Sequence, residues 1–435
     1  MKHFGLIGHP LGHSLSPQIH SRIMEIAGID GDYRLFDIAP ENLSREVPAL
    51  LRSLDGFNCT IPHKTAVMPQ LAQLVDSARK VGAVNTIETK TLTGHNTDLA
   101  GFVETCGIDF RGKRVLLLGA GGTARAFAVA ALDGGACSLV ISARDGGKAA
   151  VLAAMPRSPR VNAGNTTEFN ADVILNSTPV GMWPNCGGMP MLPVTPPAQI
   201  FDAIYNPVST RLVLNASKHG TRAVGGLRML VRQAIEAQKI WNPDTTIDAA
   251  KIESSLIPEL IRELLSKHSL KIMLTGFMGA GKSTVGRILA ERLGFAFVDI
   301  DDEIVHRTGR AILEIFANDG ETEFRKIERE AAFDVLKTSG SVIIASGGGF
   351  PVLPENRALT RERNALVFNL AIPFEDAWRR VDIDTNRPLA RDYGQTKALY
   401  ESREPVYREF CDCEVSALGA PGDVAQNIVA ALTAV

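Results

Sequence analysis

GFMGAGKST (276–284) and GAGGTA (119–124) decide how this chain reads. The first follows the apolar run 271–275 and places one glycine, four residues, then Gly281-Lys282-Ser283. In such a phosphate loop, backbone N–H groups wrap an anion at a helix N-terminus, the lysine reaches the terminal phosphates and the serine holds Mg²⁺. Gly276, Gly279, Ala280, Gly281, Lys282, Ser283 and Thr284 are its contact candidates, with ATP and Mg²⁺ as expected ligands. The second loop follows the apolar run 114–118 and has the dinucleotide pattern, with Ala124 at the last small position. It nominates Gly119, Ala120, Gly121, Gly122, Thr123 and Ala124. On pattern alone, an ordinary strand-to-helix turn is the alternative. Two loops for two different phosphate-bearing ligands imply two enzymes in one polypeptide.

The rest of the chain fits that reading. At about 150 residues per domain, 435 residues make about three units. Hydrophobic residues at 45%, charged residues at 22% and a net charge of −2 leave no polybasic field for nucleic acid or an anionic membrane. No long apolar run or secretory leader stands out, so the expected location is the cytoplasm. The six cysteines are scattered and expected to be reduced thiols. The expected class is α/β in three units, 1–100 plus 225–265, 101–224 and 269–435; the motifs and resemblances given below imply that these are an N-terminal substrate domain, a Rossmann-type NADP domain and a P-loop, nucleoside-monophosphate-kinase-like parallel-sheet domain. Periodicity predicts strands at 4–7, 32–36 and 56–60 in the first unit, with helices over 17–27, 43–54 and 64–74.

The strand predicted after the dinucleotide loop, 138–142, sets the cofactor's flavour. NAD calls for an acid at its end to hold the ribose 2′-hydroxyl, whereas here Ala143 and Arg144 follow, with Lys148 nearby. A cation suits a 2′-phosphate, hence NADP(H), while Asp145 keeps an NAD reading open.

Residues 1–265 resemble shikimate dehydrogenase, through GHSLSP (12–17), NCTIPHK (58–64), VGAVNT (81–86), GHNTDLAG (94–101) and GGLRMLVRQA (225–234). The resemblance implies that Ser14 and Ser16 bind the substrate carboxylate and that Lys64 is catalytic, with Asp98 as its partner. Thr60, Asn85, Tyr205 and Gln233 are then further substrate contacts, and Gly226 and Met229 line the nicotinamide. Ala143 and Arg228 depart from the common pattern near the cofactor, and His13 and His63 are expected to be structural. Taken singly, Lys64 is an ordinary lysine after a proline turn and Asp98 an ordinary cap.

Residues 269–435 resemble shikimate kinase, through the phosphate loop, VDIDDEI (298–304), EFRKIE (323–328), SGGGF (346–350), TNRPLA (385–390) and SREPVY (402–407). Asp299 is then expected to join Ser283 at Mg²⁺, and Asp301 to take the shikimate hydroxyl, the two acids sharing one strand face. Arg325 and Arg403 become carboxylate clamps, with Gly347, Gly348 and Gly349 against the same ligand. Arg387 belongs to the lid segment, and Arg380 is expected to stack on adenine. Together the halves imply reduction of 3-dehydroshikimate followed by phosphorylation of shikimate. A quinate-active dehydrogenase and a metabolite-binding regulator without turnover are the alternatives.

Overall fold

A computed structural model describes residues 1–435 except 13, 157, 167, 168, 194, 268 and 382–391. Its first sheet holds β1 (Lys2–Gly8), β2 (Gly31–Asp37), β3 (Gly56–Cys59), β4 (Gln73–Leu74), β5 (Thr86–Glu88) and β6 (Thr93–His95), in the order β2-β1-β3-β5-β6-β4. β1 pairs in parallel with β2 and β3, while β3, β5 and β6 run antiparallel. Phe4, Ile7, Phe57 and Ile87 are fully buried within it.

The second sheet comprises β7 (Arg114–Leu118), β8 (Ser138–Ser142), β9 (Val161–Ala163), β10 (Val173–Asn176), β11 (Gln199–Asp202) and β12 (Arg222–Val224). All pairs are parallel and the order is β12-β11-β10-β7-β8-β9. Helices on both faces explain why its central strands are unbroken apolar runs, as in Arg114–Leu118. The strand order reverses between β7 and β10, where doubly wound sheets open a crevice for dinucleotides.

The third sheet has β13 (Lys271–Thr275), β14 (Ala296–Asp299), β15 (Val342–Ala345), β16 (Leu366–Ala371) and β17 (Cys413–Ser416), all parallel, in the order β14-β15-β13-β16-β17. Its first strand is central, so the loop leaving it lies over the middle of the sheet.

The helix Leu227–Trp241 returns from the second sheet to the first, packing on helices Thr97–Thr105 and Ser16–Ala27. Trp241 anchors it: its ring stacks on Phe4 at 4.8 Å and its Nε1 donates to the Ile87 carbonyl at 2.9 Å. The approach to Thr97–Thr105 is close because residue 101 is glycine; a Cβ there would lie 3.0 Å from the Met229 carbonyl oxygen.

Two local expectations change. Residues 64–74 form turns, the 3-10 turn Met68–Gln70 and the short β4, not a helix. Pro69 removes a donor there, and the Lys64 carbonyl is taken by the Val84 amide at 2.7 Å. Asp301 does not share a strand with Asp299: β14 ends at Asp299, which caps the helix Ile300–Thr308, so Asp301 lies in a helical first turn. All six cysteines are free thiols. Among the described residues, no helix is long and apolar enough to cross a membrane.

Candidate active sites

In the first half, strand adjacency gathers the predicted residues. GHSLSP follows β1 and TIPHK follows β3, its parallel neighbour, so both segments emerge at one edge of the sheet. Lys64 Nζ donates to Asp98 Oδ2 at 2.5 Å, and both side chains are about nine-tenths buried, at 12% and 10% exposed. Asp98 is placed by its helix: Asn96 caps Thr97–Thr105, accepting from the Leu99 amide at 3.1 Å and donating to the Ala83 carbonyl at 2.8 Å. An acid in a first turn also complements the helix dipole. Asn85 Nδ2 donates to the other Asp98 oxygen at 2.9 Å and to Thr97 Oγ1 at 3.0 Å, and it reaches Gln233 Oε1 at 3.5 Å. Asp98 therefore has one oxygen turned to Asn85 and one to the lysine.

Ser16 opens the helix Ser16–Ala27, and its amide donates to Ser14 Oγ at 3.2 Å. Beneath them lies a buried network that motif reading missed. Tyr33 donates to Asn58 Oδ1 at 2.8 Å, and Asn58 Nδ2 donates to the Asn85 carbonyl at 3.1 Å and to Thr86 Oγ1 at 3.0 Å. Asn58 stood in the quoted NCTIPHK motif, so part of the signal was present. Thr60, just past β3, donates its amide to the Ile7 carbonyl at 2.9 Å. Burial raises the pKa of Tyr205. His63, buried, bonds the Ile38 carbonyl at 2.6 Å, and His13 lies outside the described residues.

The dinucleotide loop meets this pair directly. Gly119 has φ +107°, in the region where side chains are strained, and a Cβ on it would strike Ser177 Oγ. A Cβ on Gly121 meets nothing within 4 Å, and one on Gly122 would lie 2.9 Å from Lys64 Cδ. Open space beside Gly121 at the start of helix Gly122–Asp133 fits a pyrophosphate, and Lys64 lies beside the next residue. Ala120 and Thr123 are half-buried and Ala124 is buried. Asp145 is committed elsewhere: its Oδ1 accepts from the Lys148 amide at 3.1 Å, capping the next helix, and leaves Arg144 exposed after β8. That donor set fits a 2′-phosphate. Arg228 is tied to Glu253 at 3.1 Å, Gly226 is pressed against the Ala203 carbonyl, and Met229 packs into the core of the second sheet.

In the second half, Gly276, Gly279 and Gly281 have φ of +137°, +80° and +85°. Lys282 Nζ donates to the Gly276 and Phe277 carbonyls at 2.9 and 3.2 Å, folded across the cradle it closes. Ala280 is buried within this loop, and Thr284 follows Ser283 in the helix Lys282–Leu293. Ser283 Oγ donates to Asp299 Oδ2 at 2.5 Å, so the two residues expected at Mg²⁺ are adjacent and both oxygen donors suit that ion.

The glycines 347–349 follow β15 and admit the charged groups. A Cβ on Gly349 would strike the Arg325 guanidinium, one on Gly347 would strike Glu328 and stand 3.5 Å from Asp301, and one on Gly348 would be 3.7 Å from Arg403. Arg325 donates to Glu328 Oε2 at 2.7 Å, while Glu328 Oε1 is buried with no hydrogen-bond partner among the described residues. Burial pushes the Glu328 carboxyl up, and Arg325 opposes this. Burial likewise raises the Tyr407 phenol to about 12, and its hydroxyl donates to the Gly348 carbonyl at 2.5 Å. Glu328 and Tyr407 end the EFRKIE and SREPVY motifs and were not singled out there. Arg380 donates to the Gly279 and Ala417 carbonyls at 3.2 and 3.1 Å, which braces the phosphate loop. Arg387 lies outside the described residues.

Fold and site define a two-part enzyme, an NADP-type oxidoreductase followed by a P-loop kinase. A family model of the shikimate dehydrogenase substrate-binding domain matches residues 6–87, and one of shikimate kinase matches residues 278–433. Shikimate dehydrogenase (NADP(+)) of Caldanaerobacter subterraneus subsp. tengcongensis is 40% identical over 255 residues, 55% of this chain and 91% of that enzyme. The crystal structure of shikimate dehydrogenase 1 from Peptoclostridium difficile superposes with TM-score 0.54 at 34% identity, covering 61% of this chain and 99% of that one. That of the Thermus thermophilus enzyme with NADP(H) and shikimate gives TM-score 0.52 at 31% identity, covering 58% and 98%. The chain belongs to the shikimate dehydrogenase family and carries a shikimate kinase domain behind it.

Proposed function

We propose that the N-terminal half reduces 3-dehydroshikimate to shikimate with NADPH, and that the C-terminal half phosphorylates shikimate at its 3-hydroxyl with ATP, both in the cytoplasm. The units doing so are 1–100 with 225–265 for the substrate, 101–224 for NADP(H) and 269–435 for the kinase. The observation that carries this reading is the Lys64–Asp98 pair, buried beside Gly122 of the dinucleotide loop. When bound, NADPH supplies the hydride, ATP the phosphoryl group and Mg²⁺ the counter-charge.

In the first reaction, Lys64 Nζ gives a proton to the ketone oxygen as the carbonyl carbon receives hydride. Asp98 keeps the ammonium aimed, and Asn85 prevents the carboxylate from turning away. Ser14 and Ser16 hold the ring carboxylate, while Thr60, Asn85, Tyr205 and Gln233 hold the rest of the ring. Arg144 and Lys148 take the 2′-phosphate, and Gly226 and Met229 border the nicotinamide.

In the second, Asp301 orients the accepting hydroxyl and takes its proton, and Arg325 and Arg403 fix the shikimate carboxylate beside the three glycines. Lys282, now on the loop carbonyls, would turn to the transferring oxygens with Arg387, so that positioning and charge neutralisation would do most of the work. Ser283 and Asp299 would hold Mg²⁺. Arg380, bonded to the Gly279 carbonyl of the phosphate loop, would stack on adenine.

One coupled assay tests both halves: 3-dehydroshikimate, NADPH, ATP and Mg²⁺ should yield NADP⁺ and shikimate 3-phosphate. Reduced ring without phosphorylated product removes the kinase assignment. Faster oxidation of quinate than of shikimate removes the substrate assignment of the first half.

A further inference from the structure

Each half packs an apolar side chain against the other's core, Leu214 buried and Val435 half-buried. Leu214, in the helix Arg211–Ala216 of the second sheet's flank, is buried in the core of the third sheet, whereas Leu212, two residues before, stays in its own. In the opposite direction, Leu432 closes the last kinase helix inside the kinase core, yet Val435 packs against the dehydrogenase cluster that includes Val208, Leu227 and Ile19 and is flanked by Tyr205. The preceding residue touches the same place. A Cβ on Gly225 would lie 2.8 Å from the Val208 carbonyl and 3.2 Å from that of Ala434. The turn before Leu227–Trp241 is thus clamped between the 203–208 segment and Ala434.

A charged joint sets this register. Arg211, 7% exposed, donates to the Ala365 carbonyl at 2.7 Å and the Gly187 carbonyl at 2.8 Å and sits 3.5 Å from Asp412. Asp412 also binds Arg361 at 2.5 Å and the Val367 amide at 2.8 Å. Lys218 donates to the Cys411 carbonyl, and Ser217 lies 3.5 Å from Cys413 Sγ, so the dehydrogenase half covers β17, an edge strand that would otherwise be open.

We propose that the kinase half completes the dehydrogenase site: Ala434 and Val435 buttress the 203–208 and 225–226 segments, which carry Tyr205 and Gly226, and the Arg211–Asp412 joint holds them there. The assignment of Tyr205 and Gly226 to substrate and nicotinamide rests on the function proposed above; the buttress itself does not.

Two full-length variants outside both catalytic sets test it, Val435→Asp, which sets a charge against the cluster, and Arg211→Met, which removes the Arg211 donors of the joint. In both, hydrogen exchange over residues 203–226 should accelerate, and dehydrogenase kcat/KM should fall about ten- to a hundredfold, as expected for a displaced site wall. Kinase turnover should stay at the level of the unmodified chain, and Val435→Ile should restore both readouts. If Val435→Asp also loses kinase turnover, Arg211→Met decides. Unchanged exchange over 203–226 in both variants overturns the buttress. An unmodified chain that exchanges normally but does not reduce 3-dehydroshikimate overturns the proposed reaction instead, and the exchange result still stands.

Discussion

Lys64 owes its use to three neighbours. Asp98 binds its ammonium, Asn85 fixes Asp98, and Gly122 leaves room for its stem. Removing the ammonium removes the proposed proton donor but not the cofactor loop. Lys64→Ala should therefore lower kcat by about 100- to 10,000-fold while NADPH still binds, measured by stopped-flow and fluorescence titration. In the kinase, Glu328 is the buried partner of Arg325, and among the described residues one of its oxygens has no hydrogen-bond partner. Breaking a buried pair at one end costs about 3–5 kcal/mol, so Glu328→Gln should lower the melting temperature and raise the KM for shikimate, as Arg325 loses its fixed direction. A raised KM for ATP alone would contradict that placement. Motif order made Lys64, Asp98, Arg325 and Arg403 legible from sequence. Asn58, Glu328 and Tyr407 were not, because their value lies in which neighbour each one faces.

Among the elements, the two phosphate loops were the most legible, since each needs glycine for a backbone reason that a side chain would violate. Gly122 offers a separation of function from stability. Alanine there favours the helix Gly122–Asp133 by up to about 1 kcal/mol, yet its Cβ would displace Lys64 Cδ. Gly122→Ala should melt no lower than the unmodified chain and turn over more slowly; equal turnover would remove Lys64 from contact with the loop. β11 supplies a pH dependence. Burial raises the Asp202 carboxyl from 3.8 to about 6, outweighing hydrogen bonds from Thr210, Ile204 and Asn176. The folded state then holds this proton more tightly than the unfolded one, so its contribution is full below about pH 4 and is lost as pH rises through about 6, a loss of about 3 kcal/mol. Against Asp202→Asn, thermal unfolding of the unmodified chain should lose ground between pH 4 and pH 7. Parallel pH curves would mean that the three hydrogen bonds prevail over burial. The segment 64–74 reads as a helix because apolar spacing survives Pro69, and only the bond from the Val84 amide to the Lys64 carbonyl shows which backbone groups are spoken for.

At the scale of the molecule, the two reactions are joined by shikimate and the two halves by packing. Lys282→Ala should stop shikimate 3-phosphate formation while NADPH oxidation proceeds unchanged, because the buttress at Gly225 does not involve that lysine; a matching loss of the first reaction would place the phosphate loop in the joint. The amino-acid sequence by itself determined the α/β class and both loops, and it nominated the residues for chemistry and a cation for the 2′-phosphate while Asp145 kept NAD open. Those depend on local rules, the spacing of glycines and the period of apolar residues, which act over one strand or one turn. Tertiary structure alone decided that Asp145 is a helix cap, that Asp301 stands in a helical turn facing Gly347, and that Leu214 and Val435 cross between the halves. These turn on contacts between groups far apart in the chain, where a carboxylate or a leucine looks the same in sequence whichever surface it meets.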